Sequence, residues 1–151
     1  MNGCSILNNI TENSEPNESI TKINYRLPKS VQPKLYDIKI STLFDSQTEP
    51  FRFDGQVIIY FLVNTKVNSI TFQQSELSIN VSSIEVKSDG RKINVHSISY
   101  DNFTELFTVY VAELLEVSKN YSIFMEYSGT LKMNNYGLYK SFYVNSNGTK
   151  K

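Results

Sequence analysis

Phe51-Arg52-Phe53-Asp54-Gly55-Gln56-Val57-Ile58-Ile59-Tyr60-Phe61-Leu62-Val63 repeats apolar side chains at every second position: Phe51, Phe53, Val57, Ile59, Phe61 and Val63, with Gly55 in phase. A period of two places all of these on one face of an extended strand. Gly55 interrupts that face, and a glycine inside a strand predicts a bulge or a close approach of another group to the backbone. The run Val57–Val63 is the longest apolar stretch of the chain. It is strand-sized, far short of the roughly 18 residues that a membrane-crossing helix needs.

Shorter alternating runs lie on both sides of this stretch. Leu35–Leu43 precedes it, and Ser69–Gln73, Leu77–Val86, Lys92–Ser99, Leu106–Glu113 and Tyr121–Leu131 follow. Pro28 and Pro33 enforce an extended lead-in, because each fixes its own φ and pushes the preceding residue out of the helical region. Lys87-Ser88-Asp89-Gly90-Arg91 contains the Asp-Gly pair of a tight hairpin. Tyr100-Asp101-Asn102 separates the next pair of runs, and Val111–Val117 reads as a strand end followed by a loop. No segment has the periodicity of an amphipathic helix. Seven or eight strands at this spacing predict an all-β fold, a twisted, largely antiparallel two-layer sheet or sandwich. The ten Tyr and nine Phe residues follow the same period as the aliphatics, which assigns most of them to core packing.

Residues Met1–Asn24 are rich in Asn, Ser, Glu and Thr, with only Ile6, Leu7, Ile10, Ile20 and Ile23 apolar. Such a segment buries too little to offset its ordering entropy and is expected to form a flexible stalk ahead of a domain spanning 25–151. Fifteen basic residues balance fifteen acidic ones, with no basic stripe, which disfavours nucleic acid or an anionic membrane surface as partner. The single cysteine, Cys4, can close no disulfide within the chain. The N-terminus shows neither a basic n-region nor an apolar h-region, so no signal peptide is visible. Asn9, Asn17, Asn80, Asn102, Asn120 and Asn147 each begin an N-x-S/T sequon and are candidate glycan acceptors. Their number exceeds the about three that an Asn- and Ser-rich composition produces by chance, which tilts the reading toward an ectodomain.

Several segments, in order, resemble the N-terminal β domain of M1-family zinc aminopeptidases. Tyr25-Arg26-Leu27-Pro28, Pro33 and Tyr36-Asp37-Ile38 are similar to the family's "YRLPxxxxPxxY" opening. Phe51-Arg52-Phe53-Asp54-Gly55-Gln56-Val57 resembles its "F-x-F-x-G-x-V" strand, and Leu77-Ser78-Ile79 its "N-L-x-I" strand. Tyr121-Ser122-Ile123 through Tyr127-Ser128-Gly129 is similar to "Y-x-L-x-I-x-Y-x-G", and Gly137-Leu138-Tyr139-Lys140-Ser141-Phe142-Tyr143 to "GFYRSxY". The resemblance spans Tyr25–Tyr143, with Leu138 where the family usually has Phe and Lys140 where it has Arg; a lysine does not reproduce the flat fork of arginine.

What the resemblance implies is a non-catalytic N-terminal domain that packs on the catalytic domain of a zinc aminopeptidase and helps wall the cleft where N-terminal residues are removed. On that resemblance the zinc, the H-E-x-x-H helix and the Gln or Glu that grips the substrate's α-amino group belong to sequence beyond Lys151. The sequon excess favours an extracellular or membrane-anchored ectodomain for the parent, while the start of the chain, with no signal peptide visible, is either internal to a longer precursor or that of a cytosolic product. Gly137, Leu138, Tyr139, Lys140, Ser141 and Tyr143 are the expected interface with the catalytic domain. The apolar Leu138, Phe142 and Val144 suit such a surface, while an ordinary strand filling the domain's own core is the competing reading.

The residues themselves point the same way. His96 is the only histidine and no cysteine cluster accompanies it, so a three-ligand catalytic zinc site has no donors here. There is no G-x-S-x-G elbow and no phosphate-cradling glycine loop. Glu49, Glu76, Glu105 and Glu126 lie on separate runs and are expected to face solvent; none is nominated as catalytic. No cofactor and no enzymatic activity are expected of this chain alone. The alternative is a stand-alone β-sandwich binding module that keeps the fold and acts through an exposed face or edge.

Overall fold

The alternating stretch around Gly55 forms a long strand whose burial alternates with it: Phe53, Gly55, Val57, Phe61 and Val63 are buried, whereas Arg52, Asp54, Gln56 and Tyr60 are exposed. It is the second of eight strands in a computed structural model that describes residues 25–43, 51–133 and 137–149. The expected stalk, Met1–Asn24, lies outside the described residues. In chain order the strands are β1 Val31–Leu43, β2 Arg52–Val63, β3 Val67–Gln73, β4 Ser78–Ser88, β5 Arg91–Ile93, β6 Val95–Asp101, β7 Leu106–Leu115 and β8 Asn120–Thr130. No helix occurs among the described residues.

Two antiparallel sheets result. The larger has the order β1-β2-β8-β4-β5 and the smaller β3-β7-β6. Their facing sides form the core, with Val57, Phe61, Val86, Ile93, Tyr121, Ile123 and Met125 from one sheet and Ile70, Phe107, Val109, Val111 and Leu115 from the other. The fold is thus the all-β, two-layer arrangement that the strand spacing predicts.

The run Lys92–Ser99 is not one strand but two. Ile93 and Val95 keep one phase and Ile98 and Tyr100 the other, because a register shift falls between Val95 and Ser97. The chain leaves the larger sheet after β5, crosses at Asn94 and joins the smaller sheet as β6. The Asp89-Gly90 turn that precedes this corner has φ values of 47° and 84°, and Ser88 pairs with Arg91 across it. Positive φ at both central residues matches the right-handed twist of the flanking strands, and only glycine adopts it without strain.

Gly55 fulfils its predicted role as a point of close approach. It pairs directly with Tyr127, and Phe53 pairs directly with Gly129 two residues along. Each ring lies over the glycine of the opposite strand, so a Cβ on Gly55 would collide with the Tyr127 ring and one on Gly129 with the Phe53 ring. The two rings meet edge to face at 6.4 Å. Leaving water is also costly for a phenol in this position, and burial raises the pKa of Tyr127 above its ordinary value.

Tyr121 anchors the turn that leads into β8. Its ring stacks on Phe61 at 5.5 Å. Its hydroxyl accepts a hydrogen bond from the Glu116 amide at 2.6 Å and donates to the Glu116 carbonyl at 3.3 Å. Tyr121→Phe keeps the stack and orphans the amide, and is expected to cost about 1–2 kcal/mol. Urea denaturation measures this directly; an unchanged midpoint would show that the hydroxyl does not hold the turn.

Candidate functional site

Three surfaces outside the core carry the chemistry that the chain displays. The first is the C-terminal stretch beyond β8. Lys132 forms an isolated parallel bridge with Tyr139, and the Lys140 amide donates to the Lys132 carbonyl at 3.0 Å. The Lys140 ammonium lies 4.8 Å from the centroid of the Phe51 ring, a cation–π contact. Lys132 itself is ion-paired with Glu76. Gly137 has a φ of 62°, a left-handed conformation that favours glycine, two residues before the bridge at Tyr139. The segment is therefore held at its middle, while Leu138, Tyr139, Phe142, Tyr143 and Val144 remain 42–67% exposed. Ser141 is exposed as well. A cavity of about 240 Å³ opens between Gly137, Leu138, Lys132, Glu76, Leu77 and Phe53.

The second is a shallow polar concavity of about 460 Å³ on the outer face of the larger sheet. Register brings Gln56, Glu126 and Asn80 into one row across β2, β8 and β4. Glu126 accepts from Gln56 Nε2 at 3.1 Å and from Asn80 Nδ2 at 3.2 Å. Its carboxylate is thereby occupied by two amides, with no nucleophile or second carboxylate bonded to it among the described residues. Glu105 accepts from the Ser75 hydroxyl at 2.6 Å and Glu76 pairs with Lys132, whereas Glu49 lies outside the described residues. No group of three His, Cys, Asp or Glu stands together among the described residues, and His96 is exposed on β6. These residues do not fit a zinc site.

The third comprises the sequons. Asn80, Asn102, Asn120 and Asn147 are all exposed, and Asn9 and Asn17 lie outside the described residues. Asn102 occupies the turn between β6 and β7, where Asp101 accepts from the Thr104 hydroxyl at 2.6 Å and the Phe103 amide at 2.9 Å. Those two bonds hold the Asp101 carboxyl below the usual carboxylate range, the hydroxyl contributing most.

With this geometry in view, a profile of the Peptidase M1 N-terminal domain matches residues 32–151. The chain belongs to that family. Aminopeptidase 2 of Candida albicans is 30% identical over 124 residues, covering 82% of this chain and 12% of the relative. Membrane alanyl aminopeptidase of Manduca sexta is 25% identical over 138 residues, 84% of this chain and 14% of the relative. Aminopeptidase N of Haemonchus contortus is 24% identical over 130 residues, 83% of this chain and 13% of the relative. The chain thus spans a small part of the length of these relatives and corresponds to the Peptidase M1 N-terminal domain.

In the M1 domain the family-like motifs acquire physical roles. "F-x-F-x-G-x-V" and "Y-x-G" are the two halves of the reciprocal ring-over-glycine pair on β2 and β8. What sequence reasoning missed is the seat of the last motif: the Lys132–Glu76 pair and the Lys140–Phe51 contact join residues far apart in the chain. No local signal marks them.

Proposed function

We propose that this M1 domain is a non-catalytic scaffold that packs on the catalytic domain of its parent enzyme through Gly137–Tyr143 and helps wall the cleft for removing N-terminal residues from peptides. The supporting observation is the exposed apolar row Leu138, Tyr139, Phe142, Tyr143 and Val144, held in place by Lys132 and Phe51 but not covered by the domain's own core. Large apolar side chains gathered on a short surface segment mark an interaction site. Zinc and the proton-transfer groups belong, on this reading, to the catalytic domain. The sequon asparagines are glycan acceptors where the parent is an ectodomain.

The test is the double substitution Leu138→Glu with Tyr143→Glu in the polypeptide that carries this domain. Losing two anchors of about 2 kcal/mol each is expected to lower its melting temperature and to cut aminopeptidase activity at least about tenfold. The same substitutions in the 151-residue chain are expected to leave its circular dichroism and melting temperature unchanged. Full activity and unaltered melting of the parent variant would overturn the assignment.

A further inference from the structure

β1 closes one side of the larger sheet, pairing with β2 and with no other strand among the described residues. An edge strand presents a row of unpaired N–H and C=O groups, and natural sheets blunt such edges with proline, bulges or charge. Here proline and the bulge are confined to one end, where Pro33 sits and the register shifts between Pro33 and Leu35, and the mid-strand charges, Asp37 and Lys39, are of opposite sign. From Leu35 to Leu43 the pairing with β2 runs without interruption, which leaves a regular outer edge.

Two further features single out this edge. Tyr36, Ile38 and Ile40 oppose Ile59, Val57 and Gly55 and so share the phase of the core, yet they are 52%, 53% and 46% exposed. On the opposite face Asp37 and Lys39 are exposed and lack an ion-pair partner among the described residues. The strand is also complementary to itself when reversed about Ile38. Antiparallel pairing about that residue sets Asp37 opposite Lys39, Tyr36 opposite Ile40 and Ile38 opposite Ile38. Moving the axis one residue either way sets Asp37 against Asp37 or Lys39 against Lys39, which like-charge repulsion disfavours.

We propose that β1 pairs with β1 of a second copy of this chain, antiparallel, with Ile38 on the two-fold axis. The interface is isologous, joins the two larger sheets into one and covers the apolar stripe with its own symmetry mate. It uses residues distinct from Gly137–Tyr143 and stands apart from the docking role proposed for that segment.

The experiment is sedimentation velocity of the 151-residue chain at about 100 μM, a concentration suited to the weak class to which a single-strand interface belongs. A dimer is expected. Asp37→Lys and Lys39→Asp are each expected to raise its dissociation constant about tenfold or more, and the double variant D37K/K39D to restore it, since the opposed charges are again of opposite sign. Circular dichroism checks that each variant is folded. A monomeric wild-type chain would leave the edge to another segment of the parent polypeptide and overturn the proposal. So would a dimer indifferent to the single swaps, or a double variant as weak as either.

Discussion

Gly129→Val is expected to destabilise the domain by about 3 kcal/mol or more, a large part of the margin that holds a domain of this size together. The cause is room, not backbone strain. A Cβ at Gly129 would stand 2.5 Å from Cζ and 2.7 Å from Cε1 of Phe53, and 3.2 Å from Cδ2 of Leu77. Phe53 is 6% exposed, so its ring must leave a packed position for the neighbouring cavity or the strands must part. Gly55→Val meets the outer end of the Tyr127 ring, which is only half-buried and yields more cheaply. The expected order of damage is therefore Gly129→Val first and Gly55→Val second. Urea denaturation of both variants gives the order, and Phe53→Ala combined with Gly129→Val is expected to cost less than the sum of the two. Strict additivity would show that the ring and the glycine do not share that space.

Ile123→Ala is expected to cost about 3–4 kcal/mol, the upper part of the range for truncating a buried isoleucine. Ile123 is fully buried in β8, a strand flanked on both sides, with Ile59 of β2 and Val86 of β4 directly opposite. Neighbours fixed by two ladders of hydrogen bonds cannot close over the space left. Ile98 on β6, at the edge of the smaller sheet and only partly buried, is the control. Ile98→Ala is expected to cost about 1 kcal/mol, because part of its surface is already in water. Equal losses at the two sites would contradict the placement of the core between the facing sheets.

These positions differ in how openly the sequence announced them. The alternation of Phe51–Val63 marks β2 and its buried face, and the Asp-Gly pair marks the β4–β5 turn, since both are local signals with a local cause. The division of Lys92–Ser99 was also written there, in the change of phase between Val95 and Ile98, but two short strands in different sheets look like one until the phases are compared. The exposure of Tyr36, Ile38 and Ile40 was not legible. Their period assigns them to an inner face correctly, but β1 is the edge strand of a five-stranded sheet facing a three-stranded one, and among the described residues that face stays exposed. The same holds for Gly137–Tyr143. Its composition suits either a core strand or an interface, and the exposure of Leu138 and Tyr143 comes from their position beyond the end of β8.

The role proposed for this M1 domain as the scaffold of a larger enzyme is tested most directly by long-read sequencing of the full transcript across the codon for Lys151. An in-frame continuation that encodes a substrate-anchoring Gln or Glu and then H-E-x-x-H is the expected result. A stop codon directly after Lys151, supported by many independent reads, would contradict that role and assign the exposed apolar surface to a separate binding partner.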